Sequence, residues 1–302
     1  MRIVFLGTGG TYPSKARNVT SIAVQLPGEV LMFDCGEGTQ RQLMSSSVSF
    51  MKVSKIFISH LHADHFLGLP GLIQSMSLNG REDDLTVYGP PGTLKNVGMM
   101  LRLGYFKSGF RVRTKDMRPG DIIECGEYRI RCGRAAHTIP ALAYSLEERT
   151  RAGKFNLRKA RKLGIPEGPL FRRLQEGRTI TLNGRTIGPE MVLGPPRPGR
   201  KIVYTGDTGP SKDMVSFAKG ADVLIHDCTL DSSHKDLAKD FGHSTAAQAA
   251  RTARDAKVGA LFLVHMSPRY ENTNALEKEA RGVFRNSTAA KDFMEFTVPY
   301  RT

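Results

Sequence analysis

The sequence predicts a mixed α/β fold in which layers of strands and helices pack on one another. Short apolar runs of 3–6 residues, rich in Val, Ile and Phe, alternate with turn signals along most of the chain, a pattern typical of strands. The chain has 302 residues, of which 40% are hydrophobic and 24% charged, and this composition can bury a sizeable core. Because strands dominate both halves and helices interrupt them, a layered α/β architecture is favoured over a helical bundle.

Each predicted element follows from a local pattern. The apolar runs that predict strands occupy residues 2–6, 21–26, 30–33, 55–59, 85–88, 128–131, 201–205, 223–225 and 260–264. Helical periodicity predicts helices at 68–77, 92–103, 213–218 and 245–256. Ser244 directly precedes the last of these helices, and we expect it to be the N-cap because its hydroxyl can accept a free backbone N–H.

The charge balance favours a polyanionic partner. Lys and Arg together number 44 against 29 Asp and Glu, which gives a net charge of +15 and an isoelectric point of about 9.8. An excess of this size suggests nucleic acid, with a merely basic protein as the alternative on charge alone. The longest apolar runs are far shorter than the roughly 18 residues that a membrane helix needs, and the first apolar run is too short for a signal peptide. We therefore expect no membrane association and a cytoplasmic location.

One stretch, residues 147–190, departs from the alternating pattern. It contains 11 Lys and Arg against five Glu, a net charge of +6. It includes the basic run LRKARK at 157–162 and then the turn-rich run GIPEGPL at 164–170. Its apolar positions are too few to predict a core of its own, so we interpret it as an arm inserted into a single domain that spans 1–302. The charge favours contact with phosphates over a merely solvated hairpin.

The motif SHLHADH at 59–65 predicts a metal site. It follows the apolar strand KIFIS, so its side chains stand on a loop at the carboxyl end of a strand. His60, His62, Asp64 and His65 place three imidazoles and one carboxylate within six positions. Imidazole nitrogen and carboxylate oxygen suit borderline ions such as zinc. If the loop is locally extended, His60 and His62 point the same way, which leaves Asp64 and His65 free to face a second ion.

Three residues elsewhere complete the candidate site. His137 follows a short strand and a turn, Asp207 follows the strand of KIVYTGDTG, and His265 ends the strand ALFLV. If the sheets are stacked, these strand ends lie at the edge that carries SHLHADH, and the three residues become candidate ligands. His226 and His234 lack this placement and are not predicted as ligands.

The motifs also resemble those of a known family. They comprise FLGTGG near the first residue, FDCGEGTQRQL at 33–43, IFISHLHADHFLGLPGL at 56–72, VYGPPG at 87–92, GDTGP at 206–210, GHST at 242–245 and HMSPRY at 265–270. The HxHxDH string resembles the metallo-β-lactamase superfamily. Within it, GEGTQ, GPLF and GHST together resemble the tRNA 3′-processing endonucleases, the tRNase Z (RNase Z) family, over nearly the whole chain.

The resemblance implies a two-metal site within an αββα sandwich, in which two mixed sheets lie face to face with helices outside and the metals at one edge. One zinc ion is implied to be held by His60, His62 and His137, the other by Asp64, His65 and His265, with Asp207 as the bridging ligand. Two Zn²⁺ per subunit are therefore expected, although His and Asp ligands also accept Mn²⁺ or Fe²⁺. Two adjacent ions can clamp both oxygens of an in-line phosphoryl displacement.

The resemblance also implies which residues transfer protons. Asp64 is implied as the general base beside the attacking water, and His243 of GHST as the proton donor to the leaving oxygen. In the family a Glu partners this His. Here the string HDCT at 226–229 has Asp227 in that position, and this shorter side chain reaches His243 either directly or through water. Asp34 of FDCGEG is implied to steady the metal-binding loop from behind.

Two further matches concern the substrate. PSKARN at 13–18 matches the PxKxRN loop, which in the family is associated with cleavage just after the discriminator base and with disfavouring tRNA that already ends in CCA. The 147–190 stretch matches the family's flexible arm, which holds the tRNA elbow and, in a homodimer, presents tRNA to the other subunit's metal site. Basic side chains there are implied as phosphate contacts. The candidate substrate-binding residues are Lys15, Arg17, Asn18, Arg158, Lys159, Arg161 and Lys162.

The sequence thus predicts a zinc-dependent endoribonuclease, expected to be a homodimer, that removes the 3′ trailer from precursor tRNA and leaves a tRNA 3′-hydroxyl and a trailer 5′-phosphate. Two alternatives remain open. A small-molecule hydrolase of the same superfamily, such as a thioesterase, lactonase or phosphodiesterase, would share the metal site without needing the basic arm. A non-catalytic RNA-binding protein with a relic site is disfavoured because every ligand position is filled.

Overall fold

Two seven-stranded mixed sheets pack face to face in residues 1–301, the part of the chain that the computed structural model describes. The strands of the first sheet are β1 (Arg2–Gly7), β2 (Ser21–Leu26), β3 (Glu29–Phe33), β4 (Val53–Phe57), β5 (Leu85–Gly89), β6 (Val112–Asp116) and β16 (Glu295–Thr297). Their order is β16-β1-β2-β3-β4-β5-β6, antiparallel up to β3 and parallel from β3 to β6.

The second sheet repeats this arrangement. Its strands are β7 (Ile122–Cys125), β8 (Tyr128–Arg134), β9 (Leu142–Glu148), β12 (Lys201–Tyr204), β13 (Val223–Asp227), β14 (Ala260–Val264) and β15 (Ser287–Ala289). The strands from β7 to β12 are antiparallel and those from β12 to β15 are parallel, in the order β15-β14-β13-β12-β9-β8-β7. In each sheet the carboxyl ends of the parallel strands therefore share one edge, which is where open α/β sheets carry their ligand sites.

Helices cover the outer face of each sheet. The helices are α1 (Thr39–Met44), α2 (Ala63–Phe66), α3 (Leu69–Leu78), α4 (Thr93–Met100), α5 (Leu157–Lys162), α6 (Pro169–Gln175), α7 (Lys212–Ala218), α8 (Lys235–Asp240), α9 (Ala246–Asp255) and α10 (Asn274–Val283). Apolar side chains of α1, α3 and α4 pack on the first sheet, and those of α7, α9 and α10 pack on the second. The predicted αββα sandwich is confirmed.

An aromatic core fills the space between the sheets. The ring of Phe33 in the first sheet lies 5.4 Å from that of Phe57, 6.1 Å from Tyr144 and 5.7 Å from Tyr204, centroid to centroid. These rings are almost completely buried, and each contributes a large apolar area to the association of the two sheets. The residues just beyond these strands are thereby brought to one edge of the sandwich.

The four predicted helices form within a few residues of the expected bounds, as α3, α4, α7 and α9. The predicted N-cap of α9 is wrong by one position. Thr245, not Ser244, caps the helix: its side chain accepts the N–H of Gln248, whose side chain in turn accepts the N–H of Thr245. This reciprocal capping box satisfies two backbone donors that a lone serine cap would not. The Ser244 hydroxyl instead donates to the carbonyl of Thr208 at 2.7 Å.

The basic stretch begins in the last two residues of β9, ends before β12 and has its own secondary structure. It contains α5, α6 and a hairpin of β10 (Ile180–Leu182) and β11 (Arg185–Ile187). The expectation that it lacks a core is wrong. A small cluster of its side chains is buried, together with Val192 just beyond it: Ala160, Ile165, Leu174, Ile180 and Ile187. At its base the two connecting segments run antiparallel, and the N–H of Gly194 donates to the carbonyl of Lys154 at 2.9 Å.

Among the helices described here, not one is both long and apolar enough to cross a membrane.

Candidate metal centre

The structure brings all seven predicted ligands together at the shared edge of the sheets. His60 and His62 follow β4, and the short helix α2 carries Asp64 and His65. The other three follow strands of the second sheet: His137 comes after β8, Asp207 after β12 and His265 after β14. The ligand atoms fall into groups in which all atoms lie within 4.8 Å of one another.

The first group consists of three imidazoles and a carboxylate. Nε2 of His60 lies 3.0 Å from Nδ1 of His62, and Nε2 of His137 lies 3.3 Å from that same Nδ1. Oδ2 of Asp207 lies 3.5 Å from Nε2 of His60. Three ring nitrogens and a carboxylate oxygen therefore surround one point, a donor set that suits a borderline divalent ion.

The second group shares the Asp207 carboxylate. Oδ2 of Asp64 lies 3.3 Å from Nε2 of His265 and 3.5 Å from Nε2 of His65. Oδ2 of Asp207 lies 3.3 Å from each of the same two nitrogens. Asp207 thus stands between the two groups, in the position that a ligand common to two ions requires.

Hydrogen bonds behind the ligands fix which nitrogen faces the cluster. Nδ1 of His65 donates to Asp34 at 2.7 Å, and Nδ1 of His137 donates to the carbonyl of Gly242 at 3.0 Å. The Ser59 hydroxyl donates to Asp34 at 2.7 Å, so it accepts from Nδ1 of His60 at 3.0 Å. When these rings are neutral, the proton is held on Nδ1 and Nε2 is the nitrogen left free to bind a metal. Asp34 thus contacts both Ser59 and His65 of the SHLHADH loop.

Two buried atoms of the candidate ligands have no hydrogen-bond partner among the described residues: Nε2 of His65 and Oδ1 of Asp207. A buried polar atom without a partner is costly, so such atoms are rare in folded proteins. The lone pairs of several imidazoles and carboxylates that converge at 3.0–3.5 Å also repel one another. Cations within the cluster would satisfy both conditions, and the residues present therefore fit divalent metal.

Electrostatics divide the cluster into neutral and charged groups. Burial, together with the neighbouring His65, lowers the pKa of His60 well below its usual range, which keeps this ring neutral and able to bind metal. Although burial opposes ionisation of Asp207, the surrounding His265, His65 and His60 lower the pKa of this carboxyl well below its usual value. Although burial opposes it, Asp207 and Asp34 raise the pKa of His65 well above its usual value, so a cation bound at this ring would take the place of its proton.

His243 and Asp227 form a direct pair beside the cluster. Nδ1 of His243 donates to Oδ2 of Asp227 at 2.9 Å, so the shorter Asp reaches the ring without a bridging water. Although burial disfavours its charged form, Asp227 raises the pKa of His243 to about 9. The ring also lies 3.9 Å from Oδ2 of Asp207. This places a held imidazole where it can exchange a proton with a group bound at the cluster.

Three contacts at the site were not predicted from the sequence. The backbone N–H of Thr11 donates to Oδ2 of Asp64 at 2.7 Å. The Thr229 hydroxyl donates to Asp227 at 2.7 Å and accepts from Nδ1 of His265 at 2.8 Å, which links the His243–Asp227 pair to a ligand. Gly10 packs so closely on the His265 ring that a Cβ atom would lie 2.4 Å from it. Gly10 is the last residue of FLGTGG and Thr11 directly follows it, and this motif carried no assigned role.

The predicted substrate-binding residues do not all face solvent. Lys15 is exposed, but Arg17 is 8% exposed and its guanidinium donates to the carbonyls of Ser267, Tyr270 and Glu271. Arg17 therefore ties the 13–18 loop to the segment after His265 and does not present its charge to RNA. The side chain of Asn18 likewise donates internally, to the carbonyl of Glu37 at 2.8 Å.

The four candidate residues of the basic stretch are exposed. Arg161 pairs with Glu167 at 2.8 Å, and an ion pair this open to solvent contributes little to stability. The other three are Arg158, Lys159 and Lys162.

A cavity of about 480 Å³ opens onto the cluster. His62, Asp64 and His243 line it on one side, and Leu237 and Phe241 supply apolar wall. Its polar centre and open mouth give a polymer substrate access to the reacting groups.

Comparisons with known proteins agree with this fold. The model of the anti-Pycsar protein Apyc1 matches residues 1–146, and that of the beta-lactamase superfamily domain matches residues 172–266. The chain is 46% identical to ribonuclease Z of Methanosarcina mazei over 302 residues, covering 100% of this chain and 99% of that protein. It is 45% identical to ribonuclease Z of Methanothermobacter thermautotrophicus over 298 residues, covering 99% and 97%. The crystal structure of human tRNase Z, short form, superposes with a TM-score of 0.73 at 29% identity, covering 99% of this chain and all of that one.

Together, the sandwich and its His/Asp cluster define a hydrolase of the metallo-β-lactamase type that is built to bind divalent cations. Within that class, the relatives favour a nuclease over a small-molecule hydrolase. The chain belongs to the ribonuclease Z family and is an endoribonuclease.

Proposed function

We propose that this endoribonuclease removes the 3′ trailer from precursor tRNA, leaving a tRNA 3′-hydroxyl and a trailer 5′-phosphate. The observation that carries the proposal is the seven-residue His/Asp cluster, with the His243–Asp227 pair beside it, in a chain related to ribonuclease Z over its full length. A cytoplasmic location accords with such a substrate. The direct test is to incubate an unprocessed tRNA transcript with the purified protein and to map the cut to the nucleotide.

The proposed cofactors are two Zn²⁺ ions per subunit, with Mn²⁺ or Fe²⁺ as alternatives. The proposed ligands of one ion are His60, His62 and His137 and of the other Asp64, His65 and His265, with Asp207 shared between them. When bound, divalent cations stabilise the charge that develops on the phosphate and lower the pKa of the attacking water.

The chain's own residues supply the proton transfers. Asp64 is oriented by the Thr11 N–H at 2.7 Å, and we assign to it the removal of a proton from the attacking water. Asp227 holds Nδ1 of His243, so Nε2 of that ring is the atom that donates a proton to the leaving 3′-oxygen. The Thr229 hydroxyl is hydrogen-bonded to both Asp227 and His265. It thereby holds the His243–Asp227 pair at a fixed position relative to the ligand His265.

Removal of divalent metal should abolish cleavage. We expect the protein dialysed against a chelator to lose activity and to regain it with Zn²⁺ or Mn²⁺, and elemental analysis to find about two ions per chain. The thermal unfolding midpoint should fall as well, because ligands that bind only the folded state stabilise it by mass action. A metal-free preparation with full activity would overturn both the proposed cofactors and the mechanism.

The proposed role of the 147–190 arm is to bind the tRNA body. Its exposed Lys and Arg side chains, together with Lys15 of the 13–18 loop, offer contacts to phosphates without reading bases. We also propose a homodimer in which the arm of one subunit presents tRNA to the metal centre of the other. Sedimentation with and without tRNA measures that assembly.

Deleting the arm should separate tRNA processing from small-molecule hydrolysis. Lys154 and Gly194 are hydrogen-bonded at the base, so residues 155–193 can be replaced by a short Gly-Ser turn without stretching the chain. We expect the shortened enzyme to hydrolyse a small aryl phosphodiester at nearly the original rate and to lose most of its affinity for precursor tRNA, because the phosphate contacts are gone. The matched control is the Arg251→Glu/Arg285→Glu variant, which changes exposed residues outside the arm. Its affinity for precursor tRNA should be closer to that of the unmodified enzyme than the affinity of the shortened enzyme is. Equal retention of both activities by the shortened enzyme would favour the small-molecule hydrolase.

A further inference from the structure

A second cavity, of about 590 Å³, adjoins the metal centre at His137. His137 is among the residues that line the second cavity, and its Nε2 lies 3.3 Å from Nδ1 of His62, a residue that lines the first. The function proposed above has not used this space. It lies where β8 ends and where β6 is followed by the 117–121 turn.

The walls of this cavity combine positive charge with apolar surface. Arg118 and Arg134 line it, both are exposed, and within residues 1–301 neither guanidinium forms an ion pair with an acidic side chain. Pro91, Ile139 and Pro140 supply the apolar wall. Unpaired guanidinium groups suit phosphates, and apolar side chains can pack against the face of an unstacked base. The chemistry thus fits single-stranded nucleic acid.

The direction of the reaction decides which part of the RNA lies there. The leaving 3′-oxygen belongs to the nucleotide upstream of the cut, and His243, its proposed proton donor, lines the first cavity. The upstream nucleotide therefore occupies the first cavity. The strand that continues downstream from the scissile phosphate needs a path on another side of the cluster, and the cavity at His137 offers one.

We propose that the cavity at His137 binds the first nucleotides of the 3′ trailer, with Arg118 and Arg134 contacting its phosphates. This assignment rests on the proposed tRNA-processing function and deepens it. Cavities of this size bury a drug-sized ligand, so the space accommodates roughly one or two nucleotides.

The test compares trailer lengths. The Arg118→Glu/Arg134→Glu variant is assayed on two precursor tRNAs that differ only in trailer length. One has a trailer of one nucleotide and the other a trailer of five. For the five-nucleotide trailer we expect KM to rise about 10- to 100-fold, the range for losing hydrogen bonds to charged groups. For the one-nucleotide trailer, which lacks the downstream phosphates, we expect KM within about twofold of the unmodified enzyme.

Controls separate this assignment from bulk charge and from misfolding. The Arg251→Glu/Arg285→Glu variant changes the net charge equally, on exposed residues away from the cavity, and should not discriminate between trailer lengths. The milder Arg134→Ala variant, with an unchanged unfolding midpoint, should show the same preference at smaller amplitude. A KM change that is equal for both trailers, or absent for both, would overturn the assignment while leaving tRNA processing intact. If the unmodified enzyme cleaves neither precursor, the proposed function itself fails and the trailer site with it.

Discussion

Replacing Asp64 by alanine should abolish cleavage of precursor tRNA while leaving tRNA binding largely intact. Asp64 has two proposed roles, as a metal ligand and as the general base. Its Oδ2 lies 3.3 Å from Nε2 of the ligand His265 and accepts the Thr11 N–H at 2.7 Å. Loss of a general base alone typically costs about 10²–10⁴-fold in rate, and loss of a ligand adds to that. Affinity for tRNA should change little because the proposed contacts with its phosphates lie elsewhere.

The measurement pairs single-turnover cleavage with tRNA binding by filter retention. Asp64→Asn keeps the size and one oxygen of the side chain, so a partial recovery of metal content with cleavage still absent would separate the base from the ligand. Asp213→Ala removes an exposed carboxylate in the first turn of α7 and serves as the matched control. Near-normal turnover by Asp64→Ala would remove this residue from the proposed chemistry, and equal loss of tRNA binding would point to a structural defect.

The strands that were missed show what a sequence pattern can predict of this fold. The four edge strands β6, β7, β15 and β16 were not predicted. Edge strands are short or carry charge, as in VRTKD of β6 and EFT of β16. Both features discourage pairing with other chains, and both remove the apolar run by which a strand is predicted. The central β9 was missed for another reason. Its sequence LAYSLEE has little of the β-branched character of a strand, and pairing with both neighbours overrides that propensity.

The part of the candidate site whose ligands lie close together in the sequence could be predicted. HxHxDH lies within six positions, and the remaining ligands share a placement at strand ends. Contacts made across the fold were not predictable in this way. The local sequence predicts a basic loop residue at Arg17, yet its guanidinium donates hydrogen bonds to carbonyls about 250 positions away. The role of Thr229 depends on the approach of β14 to β13, which no local pattern shows.

Replacing His243 by alanine should slow the chemical step by roughly 10²–10⁴-fold, as expected for a lost general acid. The geometry behind this expectation is the 2.9 Å contact that holds Nδ1 of His243 on Asp227 and leaves its other nitrogen for the substrate. Substrate binding should be retained, so kcat should fall while KM stays nearly constant. His234 offers a matched control, because it also pairs with a carboxylate, Asp231 at 2.8 Å, but lies outside the cluster.

A double-mutant cycle tests whether His243 and Asp227 act as one unit. Asp227→Ala should slow cleavage less than or as much as His243→Ala, and the double variant should be no slower than His243→Ala alone, because effects of residues that act together are not additive. Independent, additive losses would mean that Asp227 acts through its other partner, the Thr229 hydroxyl that contacts His265. In that case the metal content of Asp227→Ala should fall, since loss of a group that orients a ligand typically costs about 10- to 100-fold in metal affinity. Elemental analysis of the same preparations therefore distinguishes proton transfer from support of the ligands.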